Sequence, residues 1–219
     1  MRRYAAELLG TYTLVFAGTG AIVVNEQTGA LGHFGVAATF GLVVLAMIHA
    51  FGEVSGAHLN PAVTIGFVAA KRFPASQALP YIGAQLGGAL LASLTLRLLF
   101  PGNAELGATV PTGSAMQSFM LETILTYLLM LVILHVAHGS REVGLMAGIS
   151  IGAMVGLEAL FAGPICGASM NPARSIAPAV VSGELDALWL YIVAPISGAL
   201  LAVLTWRLLQ ASASSKPMD

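Results

Sequence analysis

The apolar residues of the chain gather into six long runs, at about 4–24, 33–51, 79–100, 116–137, 143–162 and 187–209, separated by short polar stretches. Each is long enough to cross a hydrocarbon core about 30 Å thick as a helix rising about 1.5 Å per residue. Two further apolar runs are too short. Pro61 to Ala70 stops at Lys71-Arg72, and Pro172 to Val181 stops at Ser182-Gly183. At about ten residues, each reaches roughly 15 Å, half of the core. Both open on the same tripeptide, Asn60-Pro61-Ala62 and Asn171-Pro172-Ala173. Asn is a favoured helix N-cap because its side-chain oxygen accepts from free N–H groups of the first turn, and Pro at the first helical position has a pre-set φ and no N–H to lose. The pattern predicts two half-helices, each capped by an Asn whose NH2 donors remain free and point away from the helix.

The frames around the tripeptides also match. Ser55-Gly56-Ala57-His58-Leu59 precedes the first and Cys166-Gly167-Ala168-Ser169-Met170 the second, while Glu7-Leu8-Leu9-Gly10-Thr11-Tyr12 is echoed by Glu122-Thr123-Ile124-Leu125-Thr126-Tyr127. Two copies in matching frames imply an internal repeat, about 1–110 and 111–209 within a single transmembrane domain spanning 1–219, with 210–219 as a polar cytoplasmic tail. Three spans per half force the second half to enter the membrane from the opposite side. The repeat is therefore inverted, and the half-helices approach the midplane from opposite faces. The predicted fold is an all-α membrane protein of six transmembrane helices and two re-entrant half-helices.

Composition agrees. The 219 residues are 57% hydrophobic and 9% charged, with mean hydropathy +0.86, whereas soluble domains carry about 25% charged residues. The lipid bilayer is the expected partner, and a net charge of -1 argues against nucleic acid. Met1-Arg2-Arg3 and the following apolar run resemble a signal peptide, but Glu7 interrupts the run and it continues to Val24, so an uncleaved first span is expected. With the N-terminus inside, Arg2, Arg3, Lys71, Arg72, Arg141, Arg207 and Lys216 all fall on the cytoplasmic side, and Glu26, Glu105, Glu184 and Asp186 outside. This is the positive-inside pattern, with both termini cytoplasmic. Arg97 is the one basic residue on the wrong side. The spacings of Gly83 and Gly87, and of Gly148, Gly152 and Gly156, suit close helix contact.

Irregular backbone at membrane depth requires burial in protein or a wet cavity, so a polar path should reach Asn60 and Asn171. Arg174, directly after the second motif, should face that path or backbone carbonyls, with a structural salt bridge as the alternative: an unpaired cation in lipid costs roughly 2.5–3.5 kcal/mol or more. Beside two positive half-helix ends it would oppose cations and protons while donating to neutral hydroxyls. The repeat-related Glu7 and Glu122 read as acceptors for the N–H groups of the re-entrant loops, with proton coupling as the alternative. Glu53 is placed near the cytoplasmic mouth, and Glu158 stands open between lining and helix contact. His58 is expected to line the inner vestibule. His33, His49, His135 and His138 read as packing or interface residues. No metal-ligand set, cofactor motif or nucleophile–base order is found, and Cys166 is the sole cysteine, so no catalytic role is expected.

Taken together, the paired Asn-Pro-Ala frames, Asn171-Pro172-Ala173-Arg174-Ser175 and the Glu7/Glu122 pair resemble the aquaporin or major intrinsic protein family over essentially the whole chain. The resemblance implies a right-handed bundle of tilted helices, a pore in each subunit, a homotetramer in the cell (inner or plasma) membrane, and passive transport with no cofactor. It also implies a selectivity constriction at Phe40, Ala159, Ala168 and Arg174. Similar strict water channels usually have His at the position of Ala159, so alanine there, with Ala168, implies a wider and less polar opening. Phe161-Ala162-Gly163-Pro164 through Ser175, and Trp189-Leu190-Tyr191-Ile192, look like the plant nodulin-type branch and its bacterial relatives. Glycerol facilitators generally have Asp where this chain has Ser175, and many relatives have His where it has Glu53. The implied cargo is water and small uncharged solutes such as glycerol, urea, arsenite or silicic acid. A water-only pore is the alternative, should Glu158 or Phe161 fill the space left at Ala159. An ion-coupled secondary transporter is a remoter one.

Overall fold

In the computed structural model, which describes residues 1–137 and 146–214, the six long runs are helices. In chain order these are α1 (Arg2–Thr28), α2 (Gly32–Ser55), α4 (Ala75–Leu99), α5 (Ala115–Val136), α6 (Ala147–Cys166) and α8 (Leu188–Ser214). The short runs are α3 (Pro61–Ala69) and α7 (Pro172–Ser182). Among the described residues, the six long helices are long and apolar enough to cross a membrane. His138, Arg141 and Lys216 lie outside the described residues, as does the start of the fifth apolar run.

The helices pack as the inverted repeat requires. α1 lies on α4 and α5 on α8 within the halves, α2 meets α6 across them, and the half-helices cross over, α3 packing on α8 and α7 on α4. Small residues set the closest approaches. A Cβ at Gly88 would lie 2.1 Å from the Leu8 carbonyl oxygen, and one at Gly198 would lie 2.2 Å from that of Thr123. These are equivalent places in the two halves. Gly152 likewise abuts Gly41, where a Cβ would stand 2.6 Å from the Gly41 oxygen. The expectation for Gly83 and Gly87 is corrected: a Cβ at Gly83 would meet nothing within 4 Å and one at Gly87 only a Leu8 methyl at 3.9 Å. The close face of α4 is turned by one residue, onto Gly88.

α2 and α6 outlast their apolar runs, ending at Ser55 and Cys166. Each stops on a left-handed glycine, Gly56 (φ 85) or Gly167 (φ 80), whose N–H returns to the carbonyl four residues back. Tyrosines repeat the symmetry: Tyr81 Oη donates to Ser55 O at 3.0 Å and Tyr191 Oη to Cys166 O at 2.8 Å. Both helices that feed the re-entrant loops are thus tied at the last carbonyls.

Candidate functional site

Beyond those glycines the backbone is strained in the same way twice. Ala57 (φ 45) and Leu59 (φ 50), and Ala168 (φ 41) and Met170 (φ 53), occupy the left-handed region, which costs an L-residue roughly 1–2 kcal/mol each. A buried carboxylate holds each loop in place. Glu7 accepts from the backbone N–H of His58 at 3.0 Å and of Leu59 at 2.8 Å, and also from Ser55 Oγ and Gln85 Nε2, both at 2.7 Å. Glu122 accepts from Ser169 N–H at 2.7 Å and Met170 N–H at 2.8 Å. Both carboxylates are fully buried, and these N–H groups, turned out of any helix ladder, would otherwise be unpaired at membrane depth.

The loops deliver Asn60 and Asn171 to one place. Asn60 Oδ1 accepts from Ala62 and Val63 N–H, and Asn171 Oδ1 from Ala173 and Arg174 N–H. With each oxygen fixed as acceptor, each NH2 must point out of its helix. The sequence reading left both donors free; here one is spent. Asn60 Nδ2 donates to Met170 O at 2.8 Å and Asn171 Nδ2 to Leu59 O at 2.9 Å. The re-entrant loops are thereby stitched to each other, and one N–H per Asn remains for an occupant of the cavity they line.

That cavity, of about 440 Å³, brings together Asn60, Asn171, Arg174, Phe40, Ala159, Ala168 and His58. Arg174 is 2% exposed; its Nη1 donates to Gly107 O at 2.8 Å, and its guanidinium carbon stands 5.2 Å from the centre of the Phe40 ring. Phe40 in turn lies on Gly18, where a Cβ would come within 2.2 Å of the ring. His58 packs among Phe67, Phe73 and Tyr81, with ring centroids 4.7, 4.8 and 5.3 Å away, and its Nδ1 is 3.1 Å from Thr64 Oγ1. His49 and Glu53 also line the cavity, and the His49 ring packs on α6 as well, where a Cβ at Gly148 would stand 2.3 Å from it. Glu158 is fully buried and does not line the cavity, and neither of its carboxyl oxygens has a hydrogen-bond partner among the described residues. Phe161 is 57% exposed and also off the cavity wall.

A matched pair of capped half-helices, butted through their Asn amides in a cavity that runs past an arginine, is a device for conducting polar neutral molecules. The family described as Major intrinsic protein matches residues 1–206 of the chain. The chain belongs to the major intrinsic protein family. Aquaporin NIP1-1 of Zea mays is 47% identical over 212 residues, covering 96% of this chain and 75% of its own. Nodulin-26 of Glycine max is 48% identical over 202 residues, covering 91% and 74%. The structure of the aquaglyceroporin from Plasmodium falciparum superposes with a TM-score of 0.82 at 29% identity, covering 94% of both chains. Major intrinsic proteins are membrane channels, not enzymes, and this chain shares the aquaglyceroporin fold over 94% of its length.

Several supports of the site in this major intrinsic protein escaped the sequence reading. The loop before α5 folds onto α1 and α7: Gly107 (φ 68) is so close to α1 that a Cβ would stand 2.9 Å from Thr19 Cβ, and Thr109 Oγ1 donates to Ser175 Oγ at 2.8 Å. Ser175 Oγ is also 2.6 Å from Ser169 Oγ, linking that loop, α7 and the second re-entrant loop. Only Gln85 carried a signal, as a lone amide in the middle of an apolar run. Gly107, Thr109 and Gly18 sit in ordinary-looking contexts, and their roles come from what folds against them.

Proposed function

We propose that the chain is a passive channel for water together with small uncharged solutes, of the size of glycerol, urea, arsenite or silicic acid, and that it excludes ions and protons. The observation that carries this reading is that the small side chains of Ala159 and Ala168 line the same cavity as Phe40 and Arg174. Neither of the side chains that could have filled the space beside Ala159 lines the cavity: Glu158 is buried away from it and Phe161 faces outward. The wall combines apolar side chains with a few donors, so a solute is held weakly enough to leave. The likeness to the aquaglyceroporin from Plasmodium falciparum supports passage of solutes of glycerol size.

Exclusion of cations rests on the charge at the site. Two half-helix N-termini, each a positive dipole end, converge near the fixed guanidinium of Arg174. Glu7 and Glu122 have their oxygens committed to loop N–H groups, which supports their reading as anchors and speaks against an ion-coupled transporter. The assembly we infer is a homotetramer in the cell membrane with both termini cytoplasmic. Supporting the orientation, Lys71, Arg72 and Arg207 gather at one end, where Arg72 lies over Trp206 and Arg207 meets α3.

The test is osmotic. Proteoliposomes shrunk in sucrose should lose water faster than protein-free vesicles, and in glycerol or urea should shrink and then re-swell. Water flux without re-swelling would leave a water-only channel.

A further inference from the structure

The half-helices are also closed at their carbonyl ends. A helix leaves its last four carbonyls without intrahelical donors. In α3, Gly66 O accepts from Ala70 N–H, Phe67 O from Arg72 N–H and Val68 O from Lys71 N–H. Ala69 O, the last of the four, accepts from Arg207 Nη2. In α7, Ala179 O accepts from Gly183 N–H at 2.8 Å, and Val181 O accepts from Arg97 Nη2 at 3.3 Å. Arg207 lies on α8 and Arg97 on α4. Each arginine therefore comes from the last long helix of one repeat and caps the half-helix of the other.

The pairing is favourable in charge as well as in hydrogen bonding, because a cation at a helix C-terminus complements the dipole. It also accounts for the basic residue on the wrong side in the charge pattern: Arg97 sits where it does to meet α7. Its fork reaches further. Nη1 donates to Asn103 O at 2.7 Å and Nη2 to Ala104 O at 3.4 Å, so one guanidinium ties the end of α7 to the loop that carries Gly107, the acceptor of Arg174. Neither Arg97 nor Arg207 lines the cavity. Rods of 9 and 11 residues have one end in these guanidiniums and the other at Asn60 and Asn171, and a shift at the carbonyl end is carried along the helix to the capping amide.

We propose that Arg97 and Arg207 are matched positioning residues that set the height at which the two Asn amides, and through the Arg97 loop contacts the Arg174 guanidinium, stand in the conducting path. This rests on the channel reading given above. The experiment compares Arg97→Gln, Arg207→Gln, Arg97→Lys and Arg207→Lys with the unaltered full chain in proteoliposomes, measuring water and glycerol permeability in the same vesicles. The readout is the ratio of the two, which is unmoved by how much protein is folded. Each Gln variant is expected to change the ratio about threefold or more, part of the roughly tenfold that a charge-assisted hydrogen bond carries, and each Lys variant to recover part of the change. A ratio equal to that of the unaltered chain in the Gln variants overturns the proposal, including where the flux of both falls together. If a Gln variant does not reconstitute, Arg97→Met or Arg207→Met, which keeps an unbranched side chain but has no donor, decides, an unchanged ratio again overturning the proposal. Failure of the unaltered chain to conduct either molecule would overturn the channel reading itself.

Discussion

Ala159 matters for what is missing beside it. It lines the cavity and neither Glu158 nor Phe161 does, so at the proposed constriction restoring bulk there should act on size. Ala159→His is expected to cut glycerol re-swelling while largely sparing water shrinkage, and equal loss of both would show that Ala159 does not set the constriction. Gly18 offers an independent route to the same constriction. Because a Cβ there would come within 2.2 Å of the Phe40 ring, Gly18→Ala should push the ring from its seat against α1 toward the lumen and lower glycerol flux more than water flux. At the proposed constriction the two substitutions act from different helices, α6 and α1. Glu158 poses a different problem at the same scale, since a buried carboxyl with no partner on either oxygen among the described residues is a net cost. Glu158→Met should leave the apparent melting temperature in detergent unchanged or raised. Glu122→Gln should lower it, because the amide replaces one acceptor oxygen by a donor aimed at the N–H of Ser169 or Met170, a loss of roughly 1–3 kcal/mol. A large fall for Glu158→Met would mean that the carboxyl has a stabilising partner.

Among the elements, the glycine stripes decide how near the helices come. Gly88→Ala would drive a methyl into the Leu8 carbonyl and Gly198→Ala one into that of Thr123, whereas Gly83→Ala would meet nothing. The first two are expected to destabilise by roughly 1–3 kcal/mol, the usual cost of overpacking, and the third to be neutral, as read by thermal unfolding in detergent. The sequence pattern pointed to Gly83 and Gly87. Spacing marks a stripe of small residues, but adjacent glycines such as Gly87 and Gly88 lie about 100° apart on a helix, and only the partner helix says which is used. The half-helices were legible for the opposite reason. Asn, Pro and a short apolar run encode their own cap, start and length locally, and α3 and α7 begin at Pro61 and Pro172 as expected. The loop that carries Gly107 was not legible, since its conformation is set by Thr19, Arg174 and Ser175, all distant in sequence. Glu7 and Glu122 stood between these cases: the repeat showed that they matter together, and the structure supplies the N–H groups they accept.

At the scale of the whole molecule, the repeats are not two modules set side by side. The first half contributes α3 but its carbonyl end is capped by Arg207 of the second, and α7 of the second half rests on α4 and Arg97 of the first. The Asn60 amide donates to Met170 O and the Asn171 amide to Leu59 O, so neither re-entrant loop has all its buried polar groups paired without the other. In lipid an unpaired buried polar group costs several kcal/mol, which makes each half an incomplete structure. A cut between Thr112 and Ser114 would leave every one of these contacts within reach while removing the covalent link. Fragments ending and starting there are expected to give no osmotic water flux when reconstituted singly and to recover flux when co-expressed and purified together. Conduction by either fragment alone would mean that its half-helix holds its place without the crossed caps. Absence of flux from a co-purified pair would put the weight instead on the connecting loop, whose Thr112 is hydrogen-bonded to Pro164 and Ile165 at the end of α6.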